Sequence, residues 1–321
     1  MQDDRLSKRL KTEYKPVTWA NHPVQIDAKG STGQLAAWRK ATIDSGFAPI
    51  EFLLPSVQAT FVDRLPDSMQ AAEEAYARNP GALEKLLEHR WGYYFYLGGG
   101  YSTKSREHGE ADGRAHAIMR VQSINDVVAQ LYGRDLKGKT LLDMACNWGG
   151  MGIDMATRGC RVTGFDIRQE NVDKARDLIA YLGTPDIEVR QSDILDLTPV
   201  KNGTFDVVYN LGLMYHLTQP IEAMEITYAL CNEIAVVDTN CSREAFSGFA
   251  QIQVGNVNQP DHARGARRLE LKPTYRAVID MMLAVGFKDL IEVTLDLKDF
   301  PHSPSRHVLE TYNRRRIIGF K

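Results

Sequence analysis

Residues 140–166 read TLLDMACNWGGMGIDMATRGCRVTGFD, and this stretch decides the fold. It predicts a buried strand over 139–144, a turn of small residues, a helix over 150–158 and a second strand over 161–166. A strand-to-helix turn of this kind presents backbone N–H groups and a helix N-terminus to a ligand. Asp166 follows Asp143 by 23 residues, a separation at which nucleoside-binding folds place an acid that holds ribose hydroxyls. The stretch therefore predicts a nucleoside site.

Strand-like and helix-like runs alternate along the chain after Gly133. Further strands are predicted over 186–190, 204–210, 233–238, 289–296 and 314–320, and helices over 169–182, 219–231 and 273–285. Such alternation favours an α/β fold, in which helices cover both faces of a mostly parallel sheet. The run 239–270 is predicted as an insertion between the fifth strand and the last helix.

The residues before this region predict a different organisation. Helices are expected over 32–45, 67–90 and 115–132, and the proline-punctuated run from Phe47 to Arg64 reads as packing loops. Residues 91–104 are dense in aromatics and contain three consecutive glycines. Trp91, Tyr94 and Tyr101 could wall a ligand pocket or form an aromatic mini-core. We divide the chain into a helical, aromatic N-terminal cap (1–114) and a main domain (115–321).

Composition narrows the classes of function. The net charge is −2, so no overall basic field attracts nucleic acid. The four cysteines have no metal-ligand spacing, and we expect no metal. Reduced cysteines, the polar start and the absence of a long apolar run indicate a cytoplasmic protein without membrane contact.

Four polar residues stand at or just after the predicted carboxyl ends of parallel strands. They are Asp143, Asp166, Asp193 and Asn210. Ligands of open parallel sheets bind at this edge, so the four should lie together. Each acid alone is more often a turn former or a helix cap, and only their order and spacing favour a shared site.

These motifs resemble those of the class I S-adenosylmethionine-dependent methyltransferases. Residues 141–149 resemble the first motif of that family, 162–166 its second-strand acid, 191–194 its adenine-site acid, and 205–217 its fourth strand and following loop. The resemblance covers about residues 115–321. It implies a Rossmann-like, seven-stranded, mostly parallel sheet with a reversed last strand pair, and S-adenosylmethionine as cofactor, with S-adenosylhomocysteine as product.

The resemblance also implies roles for individual residues. Asp166 would accept hydrogen bonds from the ribose diol, Asp193 would accept from the adenine amino group, and Asp143 would lie near the methionyl end. The implied cofactor-binding set is Asp143, Ala145, Asn147, Gly149, Asp166, Ile167, Asp193, Ile194, Asn210 and Leu211. Ala145 and Asn147 stand where the family commonly has glycine, and Asn tolerates positive φ better than most residues.

The Cys146-Asn-Trp-Gly149 turn also resembles a subgroup that includes wobble-uridine tRNA methyltransferases and their carboxymethylating relatives. Trp91 and the run Gly100-Tyr-Ser-Thr103 are similar in order to elements upstream of the first motif in those relatives. This likeness leaves open whether plain or carboxylated S-adenosylmethionine is bound, and it leaves tRNA open as a partner.

Methyl transfer needs an aligned acceptor and, in some cases, a base. His216 follows the fourth strand and is the candidate general base, although a purely structural role is an alternative, and Tyr215 could orient the acceptor. The insertion could be a polar lid over an anionic substrate or a solvated surface loop. The expected substrate contacts are Trp91, Tyr94, Tyr101, Arg120, Arg243 and Arg264.

We therefore predict methyl transfer to an oxygen or nitrogen of a small polar metabolite or natural product. The alternative is a wobble-uridine tRNA methyl- or carboxymethyltransferase. A nicotinamide-linked oxidoreductase would share the fold, but the chain lacks a Gly-x-Gly-x-x-Gly run. A non-catalytic scaffold would not need the cofactor positions, and a homo-oligomer stays open.

Overall fold

An eight-stranded mixed sheet forms the centre of the protein. The computed structural model describes residues 17–19, 22–24, 54, 56–59, 67–103, 116–184, 186–242, 250–254, 269–295 and 314–321. The predicted helix over 32–45, Arg243, Arg264 and most of the insertion lie outside the described residues.

The described residues contain strands β1 to β14 and α-helices α1 to α8. In chain order the strands are β1 Val17–Trp19, β2 His22–Val24, β3 Ser56–Ala59, β4 Tyr96–Gly98, β5 Tyr101–Ser102, β6 Thr140–Asp143, β7 Arg161–Asp166, β8 Ile187–Gln191, β9 Phe205–Leu211, β10 Cys231–Asn240, β11 Ala250–Val254, β12 Leu269–Pro273, β13 Asp289–Leu295 and β14 Arg314–Phe320. The helices are α1 Asp67–Arg78, α2 Leu83–Glu88, α3 Asp126–Leu131, α4 Gly150–Thr157, α5 Gln169–Leu182, α6 Pro199–Asn202, α7 Pro220–Leu230 and α8 Tyr275–Val285.

The strand order across the sheet is β3-β13-β14-β10-β9-β6-β7-β8. Strand β14 is antiparallel to both of its neighbours, and the other pairs are parallel. The last strand of the chain thus inserts between β10 and β13. This arrangement confirms the predicted Rossmann-like α/β class and its reversed last strand pair.

The eighth strand comes from the segment that the sequence analysis interpreted as packing loops. Residues Ser56–Ala59 form β3, which pairs in parallel with β13 at the sheet edge. Val57 and Ala59 are buried there. The interpretation as loops was wrong at this point: Ser56–Ala59 alternates polar and apolar residues, but a run of four is the shortest that indicates a strand.

The core lies on both faces of the sheet because successive side chains of a strand point to opposite faces. Leu141 and Val207 belong to one buried cluster, whereas their neighbours Leu142 and Val208 belong to another. Helix α5 ends at Gly183 in the left-handed conformation, as expected for a glycine cap. The predicted bounds 169–182 and 314–320 match the structure.

Two predicted helices are interrupted. The run 67–90 breaks after α1, where Asn79 leaves helical geometry and Pro80 opens a short 3-10 turn into α2. Residues 116–131 are helical as predicted, but Val121–Asn125 form a π turn ahead of α3. No helix among the described residues is both long and apolar enough to cross a membrane.

The hairpin β4–β5 is fixed against α1 by a close backbone approach. Its turn residues Gly98, Gly99 and Gly100 all have positive φ. The Gly99 N–H donates to Glu73 Oε2 at 3.0 Å, and the Tyr96 hydroxyl also contacts the Glu73 carboxylate. A Cβ on Gly98 would lie 2.3 Å from the Ala72 carbonyl oxygen, whereas one on Gly100 would meet nothing within 4 Å.

Substitution of these glycines separates backbone strain from steric clash. Gly98 and Gly100 have nearly equal φ values of 86° and 82°. Gly100→Ala should cost about 1–2 kcal/mol for the left-handed backbone alone, and Gly98→Ala should cost clearly more because the hairpin must move off α1. Urea unfolding of both variants measures the difference. Equal losses would contradict the close packing.

Candidate active site

The turn after β6 is closed by two residues in the left-handed conformation. Asn147 has φ 52°, and Gly149 has φ 78° as the N-cap of α4. The Cys146 N–H donates to the Phe165 carbonyl at 2.8 Å, which ties the turn to β7. A Cβ on Gly164 would lie 2.9 Å from Cys146 Cβ, so glycine in β7 permits this approach. Asn147 therefore fills the place of a family glycine without breaking the turn.

Asp166 joins the turn to the start of α5. Its Oδ2 accepts from the Asn147 N–H at 3.0 Å, and its Oδ1 accepts from the Arg168 N–H at 2.9 Å and from Asn171 Nδ2 at 3.2 Å. Arg168 Nε also donates to Oδ1 at 3.5 Å, so Oδ1 has three donors and Oδ2 has one, and the second acceptor direction of Oδ2 is left for a ligand hydroxyl. The acid is both the predicted ligand group and part of the frame of the site.

Asp143 lies at the end of β6 and is 2% exposed. Burial raises the pKa of its carboxyl to about 7, and the charge of Asp166 adds to this effect. Arg120 and the Ala145 N–H act in the opposite direction but do not cancel it. Asp143 therefore changes its charge near neutral pH, at the position predicted for the methionyl end of the cofactor.

Ile167 follows β7 and Asp193 follows β8, at the carboxyl edge of the sheet. Asp193 caps the 3-10 helix Ile194–Asp196, because its Oδ1 accepts from the Leu195 N–H at 3.0 Å. The Ser192 N–H donates to the Asp166 carbonyl at 3.1 Å, which holds the loop beside β7. Ile167 is 46% exposed, so it offers apolar surface at this edge, whereas Ile194 is buried.

Asn210 and Leu211 of β9 are both buried at the end of the strand, and Asn210 Oδ1 has no hydrogen-bond partner among the described residues. Asn210 Nδ2 donates to Thr227 Oγ1 of α7 at 3.0 Å, and the residue is fully buried. Leu211 packs into the core. Sequence position alone could not show this, because the side chain of a strand-end residue faces whichever helix covers it.

The aromatic segment forms packing rather than an open wall. Trp91 is 4% exposed, donates from Nε1 to the Leu86 carbonyl at 2.7 Å, and meets the Trp148 ring edge to face at 5.4 Å. Tyr94 is buried beside α1, and Tyr101 is exposed and packs on Tyr76. Of the two interpretations, the described contacts of Trp91 and Tyr94 favour the mini-core.

Tyr215 and His216 lie together in the 3-10 turn Met214–His216 after β9, with ring centroids 4.0 Å apart. Gly212 enters this turn at φ 68°. A Cβ there would be 2.9 Å from Arg314 Nη2 and 3.7 Å from the Tyr215 hydroxyl. Strand β12, which ends the insertion, also contacts this turn. The predicted base therefore lies beside both the insertion and the last strand.

Three charged residues near this turn were missed by the sequence analysis. Asp238 of β10 is fully buried between Arg314 and Arg316 of β14. Burial opposes its charge, but the two arginines outweigh burial and lower the pKa of Asp238 to about 2. The available signal was the run of three arginines, 314–316, at the start of a strand whose remaining residues are apolar.

Tyr93 is a further residue that was not singled out. Its ring lies 5.1 Å from that of Trp148 in the turn after β6. The described part of the chain contains no group of three or more acidic, histidine or cysteine side chains suited to a metal ion.

Comparison with known proteins identifies the central part of the chain. Residues 141–233 match a family model described as a methyltransferase domain. The ubiquinone biosynthesis O-methyltransferase of Neisseria meningitidis serogroup C is 34% identical over 87 residues, which are 27% of this chain and 37% of that protein. The protein of the same name from Vibrio parahaemolyticus is 34% identical over 95 residues, 30% of this chain and 40% of that protein. The chain thus spans about two fifths of the length of these relatives.

The fold is also found in a solved structure. The N-terminal domain of EvdMO1, crystallised in the presence of SAH and D-fucose, superposes with a TM-score of 0.53 over 81% of this chain and 99% of that chain, at 17% identity. The sheet order, the strand-edge acids and the family match agree. Residues 141–233 of this chain therefore belong to a methyltransferase domain, built on a Rossmann-like sheet.

Proposed function

We propose that this protein transfers the methyl group of S-adenosylmethionine to an oxygen of a small polar metabolite. The observation that carries this proposal is the frame around Asp166, where the carboxylate, the Asn147 turn and α5 meet at the carboxyl edge of the sheet. The O-methyltransferase relatives favour oxygen over nitrogen as the acceptor atom. Crystals of EvdMO1 with SAH support the choice of cofactor.

The residues at the edge fit this cofactor in chemical type. Asp166 has acceptor capacity for a ribose hydroxyl, and exposed Ile167 beside Asp193 offers an apolar and a polar contact for adenine. Asp143 would attract the ammonium group of the methionyl end. When bound, the cofactor supplies an already activated methyl group, so the protein chiefly has to align the acceptor.

The turn after β9 would place the acceptor. His216 would take the proton from the acceptor oxygen, and Tyr215 would orient it through the phenol hydroxyl. The contact of β12 with this turn brings the insertion to the same place. The tRNA alternative stays a prediction, since no described feature favours it over a small molecule.

Loss of the Asp166 carboxylate should abolish tight cofactor binding. Asp166→Ala removes a charge-assisted hydrogen bond worth about 1.5–3 kcal/mol, which is roughly 10- to 100-fold in the Kd for S-adenosylhomocysteine. Titration calorimetry measures this, with exposed Asp173→Ala on α5 as the control and thermal unfolding as a check on the fold. Unchanged affinity in Asp166→Ala would contradict the assigned role.

The charge of Asp143 should make cofactor binding depend on pH. The folded pKa of about 7 lies above the ordinary value of 3.8, so the carboxyl is neutral below pH 7 and charged above it. The ligand ammonium prefers the charged form. Affinity for S-adenosylhomocysteine should therefore rise with pH, by up to about tenfold per unit below pH 7, and level off above it. Asp143→Asn should remove this dependence of affinity on pH. An equal pH dependence in the variant and the wild type would exclude Asp143 as its source.

Replacement of His216 should separate chemistry from binding. His216→Gln should lower methyl transfer from labelled S-adenosylmethionine to a metabolite extract by about 10²- to 10⁴-fold, the usual contribution of a general base, and leave S-adenosylhomocysteine affinity unchanged. His89→Gln is the matched control, because His89 pairs with Asp177 at 2.7 Å and takes no part in the site. An unchanged rate of methyl transfer in His216→Gln would show that the role of His216 is structural.

A further inference from the structure

Three guanidinium groups surround one buried carboxylate on the acceptor side of the site. Arg314 contacts Asp238 Oδ1 through Nε and Nη2, and Arg316 Nε lies 2.8 Å from Asp238 Oδ2. Arg120 is close enough to interact electrostatically with Asp143, Asp238 and Arg316. Among the described residues, the buried Nε of Arg120 has no hydrogen-bond acceptor.

The charges in this cluster do not balance. Asp238 supplies one full negative charge, and Asp143 is only partly ionised near pH 7. Asp166, the next acid, already has Arg168 at 3.5 Å. Burial lowers the pKa of Arg316 to about 10, and the nearby cations Arg314 and Arg120 contribute to that fall. Three arginines thus share less than two negative charges, and an unpaired buried charge is costly.

The Arg314 guanidinium uses only part of its hydrogen-bonding capacity. Its Nε and Nη2 contact Asp238, whereas its Nη1 has Asn240 Oδ1 at 3.5 Å, which is the limit of a hydrogen bond. Asp238 therefore fixes the orientation of the guanidinium and leaves one end able to donate. The Tyr215 and Tyr93 rings both lie within electrostatic reach of Arg314.

The Arg314 end of the cluster lies away from the cofactor edge, whereas Arg120 lies between Asp238 and Asp143 in its electrostatic contacts. Strand β14 is separated from β6 by β9 and β10, a distance of roughly 14 Å at the usual strand spacing. The Arg314 guanidinium lies beside Gly212, at the turn that holds Tyr215 and His216. An anion bound there would belong to the acceptor rather than to the adenosyl part of the cofactor.

We propose that Arg314, oriented by Asp238 and assisted by Arg120, binds a carboxylate or similar anionic group of the acceptor. The inference rests on the proposed function and narrows its substrate to anionic metabolites. A planar guanidinium is matched in geometry to a carboxylate, and the Tyr215 hydroxyl lies at the same turn, beside Gly212. Arg314 would bind the substrate directly, whereas Asp238 is a positioning residue.

The test compares benzoate with benzamide, which are nearly equal in shape but differ in charge. The full chain is first titrated with S-adenosylhomocysteine, and the loaded protein is then titrated with each probe by calorimetry. Wild type should bind benzoate at least about 10-fold more tightly than benzamide, the least expected of a charged hydrogen bond. Arg314→Gln should abolish that preference, and Arg314→Lys should keep part of it.

Arg315→Gln is the matched control. Arg315 is the neighbour of Arg314 on β14 but points to the other face, where it pairs with Glu292 at 2.9 Å, so it should leave the preference unchanged. Equal binding of the two probes, no benzoate binding, or a preference that survives Arg314→Gln would overturn the proposal. A variant that weakens binding of a carboxylated cofactor without changing the benzoate preference would assign Arg314 to the donor instead. If S-adenosylhomocysteine did not bind in the first titration, the proposed function itself would be refuted.

Discussion

The hydrogen bond from the Asn147 N–H to the Asp166 carboxylate is the contact on which the cofactor end of the site depends. It joins the turn after β6 to the end of β7, which are the two halves of the stretch that predicts the fold. Asn171 extends this unit, because its amide donates to Asp166 and accepts from Trp148 Nε1 at 3.1 Å. Asn147 and Trp148 of the turn are therefore held by the last residue of β7 and by the first turn of α5.

This coupling explains why a turn poor in glycine still works. Asn147 adopts positive φ at a lower cost than most residues, and its backbone N–H is held by the Asp166 carboxylate. Gly164 supplies space on the opposite strand instead of in the turn. The requirement for close approach is thus met by one glycine in β7 rather than by a run of glycines after β6.

Sequence reasoning succeeded where a local pattern sets the outcome. Helix α5 and strand β14 have the predicted bounds because their periods and end signals are strong. Asp143 and Asp166 lie close enough to interact because parallel strands end at one edge. It failed where contacts between segments far apart in the sequence determine the structure. Strand β3 exists only because β13 offers an edge, and Trp91 is buried only because Trp148 and α2 cover it. The direction of the Asn210 side chain is likewise set by its hydrogen bond to Thr227 on α7.

The charged residues around Asp238 illustrate the same limit and its consequence for function. No local pattern reveals that Arg314 and Arg316 face Asp238, since 76 residues or more separate them and the register of β10 with β14 brings them together. Once formed, the cluster places Arg314 and Arg316 on β14, whereas Asp143 and Asp166 end β6 and β7. On the proposed function, a donor with a positive sulfonium would meet the acids of β6 and β7, and an acceptor with a negative group would meet Arg314. The two ligands would then be distinguished by charge before either is bound.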